Sequence, residues 1–527
     1  MSKKKTKILL ILSIFFSIYC ALIIGQSWDQ GHALLYGKTT LEYLFSLGSI
    51  DNHFYYREYN STLYYTALYL LTNIFPSKYS IEVSNLINLT FSLGCIFGIK
   101  KISKTLFNNK VGNIVFVILF FFPIYFGHMA FNHKDTILAF SHVWIVYLIF
   151  NYLKKQQFRD KANEYIIFIG ILSSLATGIK FPFLITLVPI FLFVLLDIFI
   201  FKKITSKNFK IKIFFLDIIK CFIIFYLLLI AFWIDVFPNI ITLPFTIVKE
   251  TLSPDFWFGW PYALVDGEYY LSKQVPSNYF LISLFYKSPE YFLLTYLFFL
   301  FLLIKSNKFF IKKFNFFYYK LLLVISVIIF PTFLLFIMPY PVYDGIRLFL
   351  WSIPYFCIIP GLTIYYLIEN FNYIKSKISL TFIIFLIIFY LVNFFTITPY
   401  QYTYLNSFIG KKENSYKKFE NDYWGSSMRE LVKISNFERN KVINIATCGV
   451  NHNIVKKYLK KKKNLTFAIV KPDKADYIIM TNRVILRNNN SSSVDELTNC
   501  FDKFSGENVF EVKRNGFILS TIRKRFY

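Results

Sequence analysis

Long apolar runs alternate with short basic or polar segments from the N-terminus to about residue 397. Each run has about 20 residues, the length that a helix needs to cross the hydrocarbon core of a bilayer. The pattern predicts eleven transmembrane helices, at residues 8–25, 82–99, 112–128, 137–153, 164–179, 181–201, 213–233, 289–304, 321–338, 349–368 and 379–397. No small-residue cleavage pattern follows the first run, so we interpret it as a retained span and not as a signal peptide.

The composition agrees with this pattern. Of the 527 residues, 56% are hydrophobic, with 65 Phe and 39 Tyr, which is far more apolar than an ordinary soluble domain. We therefore predict a polytopic α-helical membrane protein, with a membrane domain at residues 1–397 and a small α/β domain at residues 398–527. Outer loops of the membrane domain are expected at residues 26–81 and 234–288.

Lys and Arg residues predict the orientation, because positively charged loops resist translocation. If the N-terminus is cytoplasmic, the inner segments hold 24 Lys and Arg, whereas the outer loops hold 9 over many more residues. The N-terminus is thus expected inside and, after eleven spans, the C-terminus outside. The net charge of +28 reflects this topology and a basic tail, and it indicates no nucleic-acid partner, since no soluble fold carries a basic stripe.

Charged residues of the predicted outer side suggest chemistry. Asp29 directly follows the first span, where a carboxylate can act as general base on a substrate that arrives from outside; the alternative is a solvated loop residue. His133, Lys134 and Asp135 lie in a row between two apolar runs. A charge at the bilayer centre costs roughly 2.5–3.5 kcal/mol, so this triplet must be solvated by water or protein.

Three outer cations lie beside motif-like sequence: Arg57, Lys134 and Arg347. Cations stabilise the negative charge that develops on a departing phosphate, and Arg suits bidentate phosphate contact. Arg347 could instead be a snorkelling residue at the interface, and Lys134 could pair with Asp135 or Asp29.

Metal binding has weak support in the sequence. His32 and His133 lie close in sequence to Asp29 and Asp135, so these groups could converge on a divalent ion such as Mg²⁺, Mn²⁺ or Ca²⁺. No HExxH motif, Cys pair or DxD-like cluster accompanies them. We therefore predict no metal site and no required cofactor, with structural histidines as the favoured interpretation.

Six segments together carry a resemblance. An acidic residue after the first span, a Lys-Asp pair after the third, a DGxR segment before a late span and an α/β tail resemble the GT-C superfamily of membrane glycosyltransferases. Within it, the chain looks most like the family 39-like branch of protein O-mannosyltransferases and bacterial aminoarabinose transferases. The matching segments are WDQGH (28–32), FNHKD (131–135), VPSNYF (275–280), YDGIRLFL (343–350), TPYQYTYLNSFIG (398–410) and FENDYWGSSMREL (419–431). The last two resemble the tail signature of bacterial members.

The resemblance implies transfer of a sugar from a polyprenyl-phosphate donor to a glycan, lipid or protein acceptor, with inversion, at the periplasmic face of the inner (plasma) membrane. It implies that Asp29 deprotonates the acceptor hydroxyl and that Asp135 lies across the same cavity. The family often has Asp-Glu after the first span, whereas Gln30 follows Asp29 here. The candidate contacts to acceptor or sugar are His32, His133, Tyr343 and Asp344.

Two other classes of function compete. A transporter or flippase of lipid-linked glycans predicts internal repeats with broken helices in matching halves, and the sequence shows neither. A non-catalytic glycan-binding protein would not need outer carboxylates beside cations.

The tail is predicted to fold as a small α/β domain. Residues 425–437 and 453–463 are expected to be helices, residues 441–448, 465–470 and 475–482 strands, and residues 508–524 a hairpin around Asn515-Gly516. We interpret the domain as a lid or partner module without catalytic groups, the alternative being an acceptor-binding module. Cys448 and Cys500 are the two cysteines outside the spans, and their spacing leaves open whether they pair.

Overall fold

In a computed structural model the chain is mostly helical, and the structure describes residues 3–52, 59–253, 259–337, 340–437, 442–463, 465–487 and 493–526. The helices up to residue 397 are α1 (Lys3–Ile23), α2 (Trp28–Phe45), α3 (Leu63–Asn73), α4 (Ser80–Leu106), α5 (Asn109–Phe120), α6 (Pro123–His128), α7 (Asp135–Lys155), α8 (Arg159–Ile179), α9 (Phe183–Thr186), α10 (Val188–Leu196), α11 (Ile211–Ala231), α12 (Leu243–Thr251), α13 (Tyr279–Lys287), α14 (Glu290–Lys305), α15 (Asn307–Lys313), α16 (Phe317–Ile337), α17 (Ile353–Phe356), α18 (Ile358–Glu369) and α19 (Ile374–Thr396).

Within the described ranges, six helices are long and apolar enough to cross a membrane: α4, α7, α8, α11, α16 and α19. Two sharply bent pairs, α1 with α2 (83°) and α13 with α14 (114°), raise this number to eight if each pair forms one span. Three predicted spans, 112–128, 181–201 and 349–368, are instead broken into shorter helices. Pro123 and Pro189 lie in the first turn of α6 and α10, the helices that follow two of these breaks, a position at which the missing N–H of proline is tolerated. The chain is a multi-pass membrane protein, and the count of eleven spans stays a prediction.

Helix α4 packs against α1, α5 and α7. It also fixes the turn of residues 129–134 that precedes α7. At Gly94 a Cβ atom would lie 2.8 Å from the ring of Phe140 on α7, so the absence of a side chain permits this close packing. The buried Asn88 donates hydrogen bonds to the carbonyl oxygens of Met129 (3.0 Å) and Asn132 (3.1 Å). A polar side chain of α4 thereby fixes the turn that carries the Lys-Asp pair.

Beyond residue 397 the chain contains a five-stranded mixed sheet in the order β4-β3-β5-β9-β8 and the two-stranded sheet β6-β7. The two-stranded sheet β1-β2 lies before residue 397, in the predicted outer loop 234–288. The strands are β1 (Tyr262–Val265), β2 (Glu268–Leu271), β3 (Ile443–Cys448), β4 (Phe467–Ile469), β5 (Tyr477–Met480), β6 (Val484–Leu486), β7 (Leu497–Asn499), β8 (Glu507–Arg514) and β9 (Phe517–Lys524), and the remaining helices are α20 (Met428–Ile434), α21 (His452–Leu459) and α22 (Cys500–Lys503). The predicted hairpin forms around Asn515 and Gly516, both with positive φ. Cys448 and Cys500 form a disulfide bond.

Candidate active site

Asp29 lies in the first turn of α2, immediately after the bend that separates α1 from α2. Ser27 Oγ donates a hydrogen bond to the carbonyl oxygen of Phe131 (3.0 Å). The buried Gln30 amide donates to Asn85 Oδ1 on α4 (2.9 Å). Gln30 therefore anchors α2 against α4, and Asp29 is held at a helix N-terminus, where the helix dipole favours negative charge.

Two cations contact the two oxygens of the Asp29 carboxylate. Lys134 Nζ lies 3.4 Å from Oδ1, and Arg347 Nη1 lies 3.5 Å from Oδ2. The Lys134 side chain is 33% exposed, whereas that of Arg347 is 3% exposed. Arg347 is thus a buried cation and not a snorkelling surface residue, and Lys134 is the cation nearer to solvent.

Arg347 is surrounded by acidic and aromatic groups. Its Nε lies 3.8 Å from Asp135 Oδ2, and its Nη2 lies 3.2 Å from Asp344 Oδ2. The guanidinium lies over the rings of Tyr343 (4.9 Å) and Trp424 (4.6 Å), contacts that lower the freedom of the side chain and suit a planar delocalised cation. The predicted residues Asp29, Asp135, Lys134, Arg347, Tyr343 and Asp344 therefore lie together around one buried guanidinium.

Asp135 is the first residue of α7 and is oriented by its own turn. Asn132 Oδ1 accepts a hydrogen bond from the backbone N–H of Asp135 (2.9 Å), and Asn132 Nδ2 donates to Asp135 Oδ2 (3.0 Å). This local capping explains how two charged residues are accommodated between apolar helices.

Among the described residues, two predicted ones, His133 and His32, make no hydrogen bond or ion pair with this guanidinium. Both ring nitrogens of the buried His133 lie near backbone carbonyl oxygens, those of Phe131 (3.1 Å) and Ser84 (3.2 Å). His32 is exposed one turn after Asp29 on α2. The described ranges contain no group of three His, Cys, Asp or Glu that could hold a metal ion. Arg57 lies outside the described residues.

The C-terminal region contributes residues that the sequence analysis did not assign to the site. Arg483, which precedes β6, donates a hydrogen bond from Nη1 to Asp344 Oδ1 (2.6 Å). Its Nε lies 3.8 Å from Glu420 Oε1. Glu420 and Trp424 belong to the FENDYWGSSMREL segment, so the tail signature was a usable signal for them. Arg483 belongs to none of the six matching segments and is one of many basic residues in the tail, so no signal in the sequence marks it as a site residue.

Two buried or half-buried lysines complete the charge distribution. Lys287, at the end of α13, lies with Glu420 and Asp344 around a small pocket. Burial raises the pKa of the Glu420 carboxyl to about 7, although the nearby Arg483 guanidinium opposes this shift. Lys180 follows α8 and interacts electrostatically with Asp135 and Asp29. The site thus combines several carboxylates with a similar number of cations.

The two tail segments that resemble family signatures pack against each other beside the Arg347 guanidinium. Asp422 accepts hydrogen bonds from the backbone N–H groups of Ser426 (2.9 Å) and Ser427 (2.8 Å) and contacts the Tyr402 hydroxyl. This turn places Trp424 over the Arg347 guanidinium. The signature residues therefore build the wall of the site.

Comparison with known proteins supports the fold. No protein-family model matches the sequence, and no curated protein matches it. Among solved structures, ArnT from Cupriavidus metallidurans in the apo state matches with a TM-score of 0.50 at 10% identity, over 99% of this chain and 98% of that chain. The same protein bound to undecaprenyl phosphate matches with a TM-score of 0.49 at 9% identity, over the same shares.

The oligosaccharyltransferase of Archaeoglobus fulgidus in the apo form matches with a TM-score of 0.44 at 11% identity, over 88% of this chain and 65% of that chain. The similarity to ArnT extends over nearly the whole chain, which therefore has an ArnT-like fold, and the resemblance inferred from the six sequence segments is confirmed at the level of the fold.

Proposed function

We propose that this chain is an inverting glycosyltransferase that moves a sugar from a polyprenyl-phosphate donor to an acceptor hydroxyl at the periplasmic face of the inner membrane. The observation that carries the proposal is the contact of one carboxylate, Asp29, with two cations, Lys134 and Arg347. Such a site supplies both a base for the acceptor and positive charge for the phosphate. The ArnT-like fold supports a membrane glycosyltransferase.

The cations serve the leaving group. When the bond between the anomeric carbon and the phosphate oxygen breaks, negative charge increases on that oxygen, and preorganised cations stabilise it best where water is scarce. Arg347 is preorganised by its buried contacts with Trp424 and Asp344. Lys134 and Lys180 are the more accessible cations, and we assign them to the charge of the incoming phosphate.

Asp29 serves the acceptor, and the geometry implies an order of events. Before the donor binds, Lys134 and Arg347 cover both oxygens of the Asp29 carboxylate. A donor phosphate attracts the same cations and so frees a carboxylate oxygen to accept a proton. The acceptor oxygen then attacks the anomeric carbon, its proton passes to Asp29, and the polyprenyl phosphate leaves. We therefore infer that the donor binds before the acceptor.

Of the four residues predicted to contact the acceptor or the sugar, two are favoured by the structure. Both ring nitrogens of His133 face backbone carbonyl oxygens, and Asp344 contacts Arg347 and Arg483, so neither is a strong candidate. His32 is exposed near Asp29, and Tyr343 lies beside Arg347. We propose His32 and Tyr343 as the contacts to acceptor or sugar.

A transfer assay tests the proposal. Purified full-length protein is incubated with a panel of polyprenyl phosphates that carry different radiolabelled sugars, together with a membrane extract as the acceptor source. We expect one label to move from its polyprenyl phosphate to an acceptor, and the Asp29→Asn variant to abolish this movement. A label that stays on its polyprenyl phosphate but crosses the bilayer of a reconstituted vesicle would instead identify a transporter.

A further inference from the structure

We propose that Arg483, from the C-terminal region, is a positioning residue that keeps Arg347 available to the donor phosphate by sharing the Asp344 carboxylate with it. The inference rests on the proposed function, because it concerns the same site. It also gives the C-terminal region a part in catalysis, whereas the sequence suggested a lid or partner module without catalytic groups.

Asp344 bridges the two guanidinium groups. Arg483 Nη1 lies 2.6 Å from Asp344 Oδ1, and Arg347 Nη2 lies 3.2 Å from Asp344 Oδ2. The Asp344 backbone has a φ of 59° and is followed by Gly345 with a φ of 64°. A Cβ atom on Gly345 would lie 2.8 Å from Lys287 Cε, so the turn is closely packed. The position of the bridging carboxylate is therefore fixed by its backbone.

Arg483 is itself firmly held. It is buried, its Nη1 also donates to the carbonyl oxygen of Tyr423 (2.8 Å), and its guanidinium lies 4.5 Å from the centre of the Trp260 ring. Its carbonyl oxygen accepts the backbone N–H of Cys500 (3.0 Å). The disulfide between Cys500 and Cys448 thus lies next to the segment that carries Arg483, and the guanidinium reaches the site from a rigid support.

The charges around Arg347 explain why a second guanidinium matters. Three carboxylates, Asp29, Asp135 and Asp344, lie within 4.0 Å of Arg347. Without Arg483, a larger share of the Asp344 charge would act on Arg347, with Lys287 as the other nearby cation, and a phosphate would compete against three carboxylates for one guanidinium. With Arg483 present, part of the Asp344 charge interacts with the Arg483 guanidinium instead of with Arg347. Loss of Arg483 should therefore weaken donor binding by tenfold or more, since truncation of one member of a buried charge pair is costly.

The test is a set of binding measurements on the full-length protein in lipid nanodiscs, with undecaprenyl phosphate as the probe. The variants are Arg483→Gln, Asp344→Asn and the double variant. Arg514→Gln is the matched control, because Arg514 is also in the C-terminal region and also pairs with a carboxylate, Glu430, at 2.6 Å. We expect Arg483→Gln to raise the Kd at least tenfold and Arg514→Gln to leave it unchanged.

The double variant separates positioning from folding. If Arg483 acts through the Asp344 charge, Arg483→Gln should change the Kd less than twofold in the Asp344→Asn background. Asn is tolerated at positive φ, and the double variant removes one buried charge of each sign, so it should fold even if a single variant, which leaves a buried charge uncompensated, does not. A tenfold effect of Arg483→Gln on the Kd in that background, or an unchanged Kd for the single variant, would overturn this inference but not the proposed function. A wild-type protein that does not bind undecaprenyl phosphate would overturn the proposed function with it.

Discussion

Replacing Arg347 by Met should destabilise the protein far more than replacing Lys134 by Met. Both cations contact the same carboxylate, Asp29, at nearly equal distances of 3.5 Å and 3.4 Å. They differ in burial, because 3% of the Arg347 side chain and 33% of the Lys134 side chain are exposed. A contact distance alone therefore does not predict the effect of the two substitutions.

The size of the destabilisation depends on the carboxylates that each substitution leaves without a cation. Asp135 is 5% exposed, and among the described residues Arg347 is its one cation within 4.0 Å. Removing one partner of a buried pair costs about 3–5 kcal/mol, because the other charge stays buried without compensation. The pair of Lys134 with the 21%-exposed Asp29 is partly solvated, so its loss should cost about 1 kcal/mol or less.

The assay is thermal unfolding of the purified variants in one detergent, followed by intrinsic fluorescence. We expect a large fall in the unfolding midpoint for Arg347→Met and a small one for Lys134→Met. Adding Asp135→Asn to Arg347→Met should recover part of the loss, because the neutral amide removes the uncompensated charge. Equal midpoints for the Arg347→Met and Lys134→Met variants would refute the reasoning.

Three further predictions concern other parts of the chain. Glu420 faces Arg483, Asp344 and Lys287, and its pKa is raised from 4.5 to about 7. Its contribution to stability should therefore fall as the pH rises from 4.5 to 7, so that the unfolding midpoint of Glu420→Gln rises relative to that of the wild type over this range. A difference in midpoint that stays constant with pH would contradict the shift. Replacing both cysteines of the Cys448–Cys500 bond, which spans a sequence separation of 52, should lower the free energy of unfolding by about 4 kcal/mol; an unchanged denaturation midpoint would argue against this. A membrane-impermeant thiol reagent applied from the periplasmic side should label Lys411→Cys but not Lys203→Cys, both exposed positions, and the reverse pattern would invert the proposed topology.

The fold was predictable from sequence where a signal is continuous. The apolar runs marked the helices because a bilayer imposes a minimum length on each span, and the Asn-Gly turn marked the hairpin at Asn515 and Gly516 because both residues tolerate positive φ. The break near Pro189 was less evident, since the run 181–201 keeps its apolar character through the break. The predicted outer loop 26–81 contains helix α2, which the apolar pattern does not predict because residues 28–45 mix polar and apolar residues.

The site was predictable in part, for a related reason. Asp29, Lys134 and Arg347 stand out because a charge beside an apolar run needs an explanation. Arg483 lies 139 positions after Asp344, among many basic residues of a polar region, where a charge is ordinary. Its place in the site depends on the packing of β6 and β7 against β1 and β2, and no local pattern of the sequence predicts that packing. For His133 the sequence was misleading. Its position beside the Lys-Asp pair suggests a contact with acceptor or sugar, whereas both of its ring nitrogens lie near backbone carbonyl oxygens.

The central claim, that Asp29 is the base of a sugar transfer from a polyprenyl phosphate, is tested most directly by single-turnover transfer with the Asp29→Asn variant. Asn keeps the shape of the side chain but cannot accept the proton of the acceptor. General-base assistance is worth roughly 10²- to 10⁴-fold, or about 3–5 kcal/mol of activation free energy. We expect a loss of at least a hundredfold in transfer rate with donor binding retained, and a milder loss for Asp135→Asn. An Asp29→Asn variant that keeps a tenth or more of the wild-type rate would contradict the claim.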